Sequence, residues 1–69
     1  MNRTPVTSSA LVSVGYDRDS LVLETELTSG KIYQYFDVPE SVFLELMSAD
    51  SLGKYYNQNI RNNYRYAPL

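Results

Sequence analysis

Gly30-Lys31-Ile32-Tyr33-Gln34-Tyr35-Phe36-Asp37-Val38-Pro39 is the stretch on which the fold turns. A glycine able to turn the chain leads into an alternating strand with tyrosines two apart, and a Val-Pro pair ends that strand. Ahead of this stretch the chain reads as sheet; behind it, as helix. The connection leading in sets the register. A two-residue turn on Ser29-Gly30 needs positive φ at Ser29, where serine fits poorly, whereas a three-residue loop Thr28-Ser29-Gly30 puts only Gly30 in the left-handed region. The longer loop is therefore expected, with Leu27 opposite Lys31, Thr25 opposite Tyr33 and Leu23 opposite Tyr35. Both tyrosines then join the leucines as core; the shorter turn would set them against Glu26 and Glu24.

Toward the N-terminus, residues 21–27 alternate, with Leu21, Leu23, Thr25 and Leu27 on one face and Val22, Glu24 and Glu26 on the other. Asp17-Arg18-Asp19-Ser20 is turn chemistry, because Asp and Ser side chains bond nearby backbone amides. Residues 10–16 form a further strand, placing Val12, Val14 and Tyr16 inward and Leu11, Ser13 and Gly15 outward, with Gly15 marking a bend or a close backbone approach. Residues 1–9 are polar and contain proline, and read as a flexible arm ahead of a single domain, residues 10–69.

Toward the C-terminus, Val38 is pushed out of helical geometry by Pro39, and the proline itself suits a first helical turn. Over residues 40–49, Val42, Phe43, Leu46 and Met47 fall at helical spacing. Asp50-Ser51 reads as the N-cap of a second helix through Leu52, Tyr55, Tyr56 and Ile60, with Gly53 passing close to a neighbour and Asn62-Asn63 ending it. The predicted fold is α+β: a three-stranded antiparallel meander packed on one face by two short C-terminal helices. Its far face keeps Leu11, Val22, Ile32 and Phe36 among Glu24, Glu26 and Gln34, to be covered by residues 64–69 or by a second copy.

Composition excludes more than it assigns. A chain of 69 residues without Cys or His has no disulfides, no thiolate or imidazole metal site and none of the usual catalytic dyads or triads. Asp17, Asp19, Glu24 and Glu26 suggest no acid–base pair, since alternating glutamates are what the solvent side of a strand looks like. No enzyme activity, cofactor or small-molecule substrate is indicated. No apolar run approaches the roughly 20 residues of a membrane span, and residues 1–10 are too polar for a signal peptide, so a cytoplasmic protein is expected. The net charge of −2 hides a gradient, −6 over residues 17–50 and +3 from residue 51 onward.

That basic end is the most informative stretch for function. Residues 54–66 mix cations for phosphates, amides that read base edges and tyrosines that stack, and the candidate contacts are Lys54, Tyr55, Asn57, Arg61, Asn62, Arg65 and Tyr66. Val22, Ile32 and Phe36 are the candidate self-association face.

Ser8-Ser9, Val14-Gly15-Tyr16-Asp17, Gly30 with Tyr33-x-Tyr35, Val38-Pro39, Ala49-x-Ser51-x-Gly53, Asn57, Ile60 and Tyr64 together resemble the KTSC domain family. That family is named for its occurrence at the C-terminus of some lysyl-tRNA synthetases and also occurs as free-standing small bacterial proteins. Leu27 and Tyr56 stand where the family more often has phenylalanine. The resemblance implies an uncharacterised domain for which RNA binding has been suggested, and it carries over no catalytic residues. Composition favours a non-enzymatic module for protein interaction or self-association, with a protein partner or homodimer. The resemblance and residues 54–66 favour the alternative, binding of tRNA or single-stranded RNA.

Overall fold

The computed structural model describes every residue, Met1–Leu69. Five strands form one antiparallel sheet in chain order: β1 (Thr4–Pro5), β2 (Leu11–Asp17), β3 (Val22–Leu27), β4 (Ile32–Tyr35) and β5 (Tyr66–Pro68). Between β4 and β5 the chain makes α1 (Glu40–Ser48) and α2 (Leu52–Tyr55), and α2 runs on into a π-helical turn, Tyr56–Ile60. The α+β class and the antiparallel meander are as expected. The sheet has five strands rather than three, however, and the helices lie within the chain rather than at its end. Thr4 and Pro5, inside the stretch read as an arm, sit opposite Val14 and Ser13; Tyr66, Ala67 and Pro68 sit opposite Tyr35, Gln34 and Tyr33. Strands of two and three residues leave no alternation to read, and each carries the proline that belongs on a sheet edge. The C-terminal stretch thus lengthens the sheet instead of crossing its far face.

The decisive register is the expected one. Gly30 has φ 93°, its N–H donates to the Leu27 carbonyl at 2.9 Å, and the Leu27 N–H donates to the Lys31 carbonyl at 2.8 Å. Leu23 therefore faces Tyr35, and Thr25 faces Tyr33. At the preceding turn, Asp17 accepts from the Asp19 N–H at 3.0 Å and the Ser20 hydroxyl at 2.9 Å.

Alternation fails at one place, in β2. The pairing slips between Leu11 and Ser13, so that Leu27 faces Leu11 while Glu26 faces Ser13. One extra residue at such a bulge reverses inside and outside. Leu11, expected on the far face, is buried in the core, and Val12, expected inward, is exposed. Leu21, expected to begin the inward row, precedes its strand with φ 58° and is also exposed.

The core consists of Leu11, Val14, Leu23, Tyr35, Val38, Leu46, Tyr56 and Ile60. Val38 joins sheet to helix: its N–H donates to the Leu21 carbonyl at 2.9 Å, and its carbonyl accepts the Tyr16 hydroxyl at 2.5 Å. The Tyr16 ring stacks on Phe43 of α1, centroids 5.0 Å apart. Ser51 caps α2 by accepting from the Lys54 N–H at 3.2 Å. The helix then passes so close to the residue leading into β2 that a Cβ on Gly53 would meet that of Ala10 at 3.0 Å. Thr25 is wholly buried, and its hydroxyl has no partner. No helix is long and apolar enough to cross a membrane.

The far face is more closed than alternation implied. Glu24, expected in solvent, is 4% exposed, because residues 1–3 cross Gly15 on the same face. A Cβ at Gly15 would lie 2.7 Å from the Asn2 carbonyl oxygen, so that position does require glycine. Arg3 pairs with Glu24, its Nε donates to Ser13 Oγ at 2.9 Å, Ser13 Oγ donates to Glu26 at 2.8 Å, and Gln34 donates to Glu24 at 2.9 Å. This polar belt ties the N-terminal segment to three strands, β2, β3 and β4.

Edge strand β5 pairs with the sheet on one side only. Beyond its ladder it is held by the Phe36 N–H to the Arg65 carbonyl at 2.9 Å and the Leu69 N–H to the Ile32 carbonyl at 2.8 Å. Amide hydrogen exchange at Phe36 and Leu69 is expected well ahead of exchange in β3, because few residues need open there. Equal protection of the two regions would contradict this ordering.

Candidate functional site

Where the π-helical turn, the β3–β4 loop and β5 meet, they enclose an open cleft of about 520 Å³. Tyr33, Tyr35, Tyr56 and Tyr66 supply its aromatic wall; Asn57, Arg61 and Asn62 line the helical side, and Leu27, Thr28 and Ser29 the loop side. The register set by Gly30 brings the tyrosines here. Tyr33 and Tyr66 meet edge to face at 5.6 Å and 79°, while Tyr35 contacts Tyr66 at 5.8 Å and Tyr56 at 5.9 Å. Such tilted packing suits the ring quadrupoles. Tyr35 and Tyr56 share a hydroxyl hydrogen bond at the buried end. Burial first, and then that bond, push the Tyr35 phenol well above its ordinary pKa, with Arg61 pulling the other way. The floor is therefore neutral. Tyr66, 57% exposed, is the open wall.

Asn57 and Arg61, four apart, share a face in an α-helix; the π-helical turn bears on Asn62, five from Asn57. In an α-helix the fifth residue onward lies about 140° round the axis from the first. A π-turn closes residue i to i+5, as in the Arg61 N–H to Tyr56 carbonyl bond at 3.0 Å. Asn57, Arg61 and Asn62 accordingly line one side of the cleft. The hydrogen bonding of the neighbouring asparagines makes a contrast. Asn59 donates to the Tyr55 carbonyl at 3.2 Å and Asn63 to the Gln58 carbonyl at 3.4 Å, both serving the helix backbone. No side-chain hydrogen bond commits Asn57 or Asn62, and Arg61 makes no ion pair.

Of the seven candidate contacts read from residues 54–66, the cleft thus gathers Asn57, Arg61, Asn62 and Tyr66. The other three lie elsewhere. Tyr55 donates its hydroxyl to Glu45 of α1 at 2.6 Å, and that bond, followed by burial, pushes its pKa up to about 12. Arg65 lies against Asp37 at 3.4 Å and over the Phe36 ring at 5.6 Å. Lys54 is exposed in the last turn of α2. Tyr33, expected as core, does pack against it but is only half-buried and also lines the cleft. The missing signal was the partner strand: Tyr64-Arg65-Tyr66 alternates, and a strand there puts Tyr66 beside Tyr35. On the opposite sheet face, Val22, Ile32 and Phe36 are each half-buried.

A single antiparallel sheet with its helices on one face and a polar, aromatic cleft at their junction defines a small α+β domain. A crystal structure of a KTSC domain protein from Yersinia pestis matches it with a TM-score of 0.96 at 35% identity, covering 99% of this chain and 96% of that one. The chain belongs to the KTSC domain family, whose model matches residues 7–64. An uncharacterised protein of Stutzerimonas stutzeri is 45% identical over 67 residues, 96% of this chain and 94% of its own length. A lysine–tRNA ligase of Nostoc punctiforme is 33% identical over 61 residues, 88% of this chain and 11% of the ligase.

Proposed function

We propose that this protein is a binding module without catalytic chemistry, and that it contacts single-stranded RNA through the cleft. The observation that carries the reading is the joint presence of stacking surfaces at Tyr33 and Tyr66, an unpaired guanidinium at Arg61 and uncommitted amides at Asn57 and Asn62 on one concavity. Aromatic faces hold unstacked bases, and a free cation takes the adjoining phosphate. The occurrence of a similar domain in a lysine–tRNA ligase, a protein whose name ties it to tRNA, supports the same choice. Self-association has less to stand on than composition implied. The two sheet edges are short strands carrying Pro5 and Pro68, which have no N–H to offer another strand. Arg65 covers Phe36 on the far face.

Fluorescence anisotropy with a short unstructured oligoribonucleotide and with tRNA, at two salt concentrations, tests the proposal. With net charge −2 and one cation in the cleft, binding is expected to be modest and to weaken only gently with salt, by about 0.7 log unit per log unit of salt for each phosphate neutralised. Arg61→Ala should weaken it roughly tenfold or more, since a charge-assisted hydrogen bond is lost. Arg18→Ala, outside the cleft and paired with Glu40 at 2.7 Å, should leave it unchanged. No binding at low salt removes the reading. Sedimentation of the free protein over a range of concentrations reports on self-association in the same samples.

A further inference from the structure

A surface that tracks a nucleic-acid backbone presents a row of cations, and this cleft presents one. Apart from the aliphatic Ala10 and Leu27, its remaining lining is aromatic, amide or hydroxyl. A volume of about 520 Å³ lies within the roughly 300–1,000 Å³ of sites that take small molecules. The geometry suits an occupant with one flat ring system and one phosphate. The amides then distinguish among bases. A carboxamide offers a donor and an acceptor side by side, the pair that matches the N6 and N7 edge of adenine, whereas guanine is read mainly by arginine or lysine. Two uncommitted carboxamides, Asn57 and Asn62, line the cleft, while its single guanidinium is the natural seat for phosphate.

We propose that the cleft binds one unpaired adenine nucleotide, its base against Tyr66 and Tyr33, its edge read by Asn57 and Asn62, and its phosphate on Arg61. This rests on the RNA-contacting reading above and narrows it: a mononucleotide suffices, and the longer chain adds little. The recognition is that of a single base rather than of a duplex or a run of phosphates.

The test is a nuclear magnetic resonance titration of the whole protein with AMP, GMP, UMP and ribose 5-phosphate, following the side-chain amides of Asn57 and Asn62 and the backbone of residues 56–66. AMP is expected to shift these signals with an affinity at least roughly tenfold above that for UMP or ribose 5-phosphate, and above that for GMP. Asn57→Ala combined with Asn62→Ala should erase the preference for AMP over GMP, while Arg61→Ala should weaken all four ligands together. AMP binding no tighter than ribose 5-phosphate, or shifts confined to residues outside the cleft, would overturn the proposal. If oligoribonucleotides bind at the cleft while AMP does not, the single-nucleotide inference falls and the RNA reading stands. If neither binds, both fall.

Discussion

Leu46→Ala should lower the melting temperature by at least about 10 °C, the largest loss expected of any single truncation in α1. Leu46 is the only residue of that helix buried completely, while Val42, Phe43 and Met47 are only partly buried against the core. The helix is nine residues long and its N-cap, Pro39, makes no side-chain bond, so tertiary packing supplies what so short a helix lacks by itself. Removing a buried leucine costs about 2–5 kcal/mol through lost transfer energy and the cavity left behind. At about 0.05–0.15 kcal/mol per residue, a domain of this size is stable by only some 3–10 kcal/mol. Each kcal/mol moves the melting temperature by about 4–8 °C. Leu44→Ala is the control, since Leu44 is 56% exposed on the same helix and its truncation should fall within about 0.5 kcal/mol of the parent. Thermal unfolding followed by circular dichroism separates the two, and similar losses for both would mean that the packed face of α1 has been misplaced.

Acidification should destabilise the protein through Glu24, and Arg3→Met should flatten that response. Burial by itself would raise the Glu24 pKa, but hydrogen bonds from Gln34 and Arg3, with the charge of Arg3, outweigh it and hold the carboxyl below its ordinary value of 4.5. A depressed folded-state pKa means stability that is fully present above the unfolded value and is lost as pH falls through the folded one. The loss therefore begins near pH 4.5 and grows below it. Arg3→Met leaves Glu24 buried without its cation, at a cost of about 1–3 kcal/mol at neutral pH. It also raises the Glu24 pKa, so protonation no longer breaks an ion pair. Urea midpoints at pH 6.5, 4.5 and 3 should fall steeply for the parent and shallowly for the variant. Asp17, held low mainly by its bonds to Ser20 and Asp19, contributes equally to both. Parallel curves would show that the pair does not govern acid stability.

The contrast between Gly30 and Leu11 shows what the sequence could reveal about the fold. The turn at Gly30 was legible because two loop lengths make opposite demands on one serine, and only one of them is comfortable. The bulge at Leu11 was not, because a single inserted residue leaves the hydrophobic pattern of 10–16 looking like an unbroken strand. Glu24 and Glu26 alternate as solvent-facing residues do; what buries Glu24 is Arg3, far off in sequence, laid across the sheet by a two-residue strand. The site was half legible for a related reason. The composition of residues 54–66 pointed to Asn57, Arg61, Asn62 and Tyr66, which the cleft gathers, but the π-helical turn sets Asn62 beside Asn57 at a spacing of five that an α-helical wheel would part, and Tyr55 and Arg65 went to Glu45 and Asp37 instead. Tyr33 required knowing that the chain returns to pair beside it.

One wall of the cleft, Tyr66, is carried by a three-residue strand at the sheet's edge. Linkage makes occupancy and edge order one equilibrium: a ligand that requires the docked strand must stabilise it by mass action, and any substitution that frays the strand weakens the ligand by the same factor. Saturating the cleft with any ligand that rests on Tyr66 should consequently slow amide exchange at Phe36 and Leu69, the two ends at which the strand is tethered.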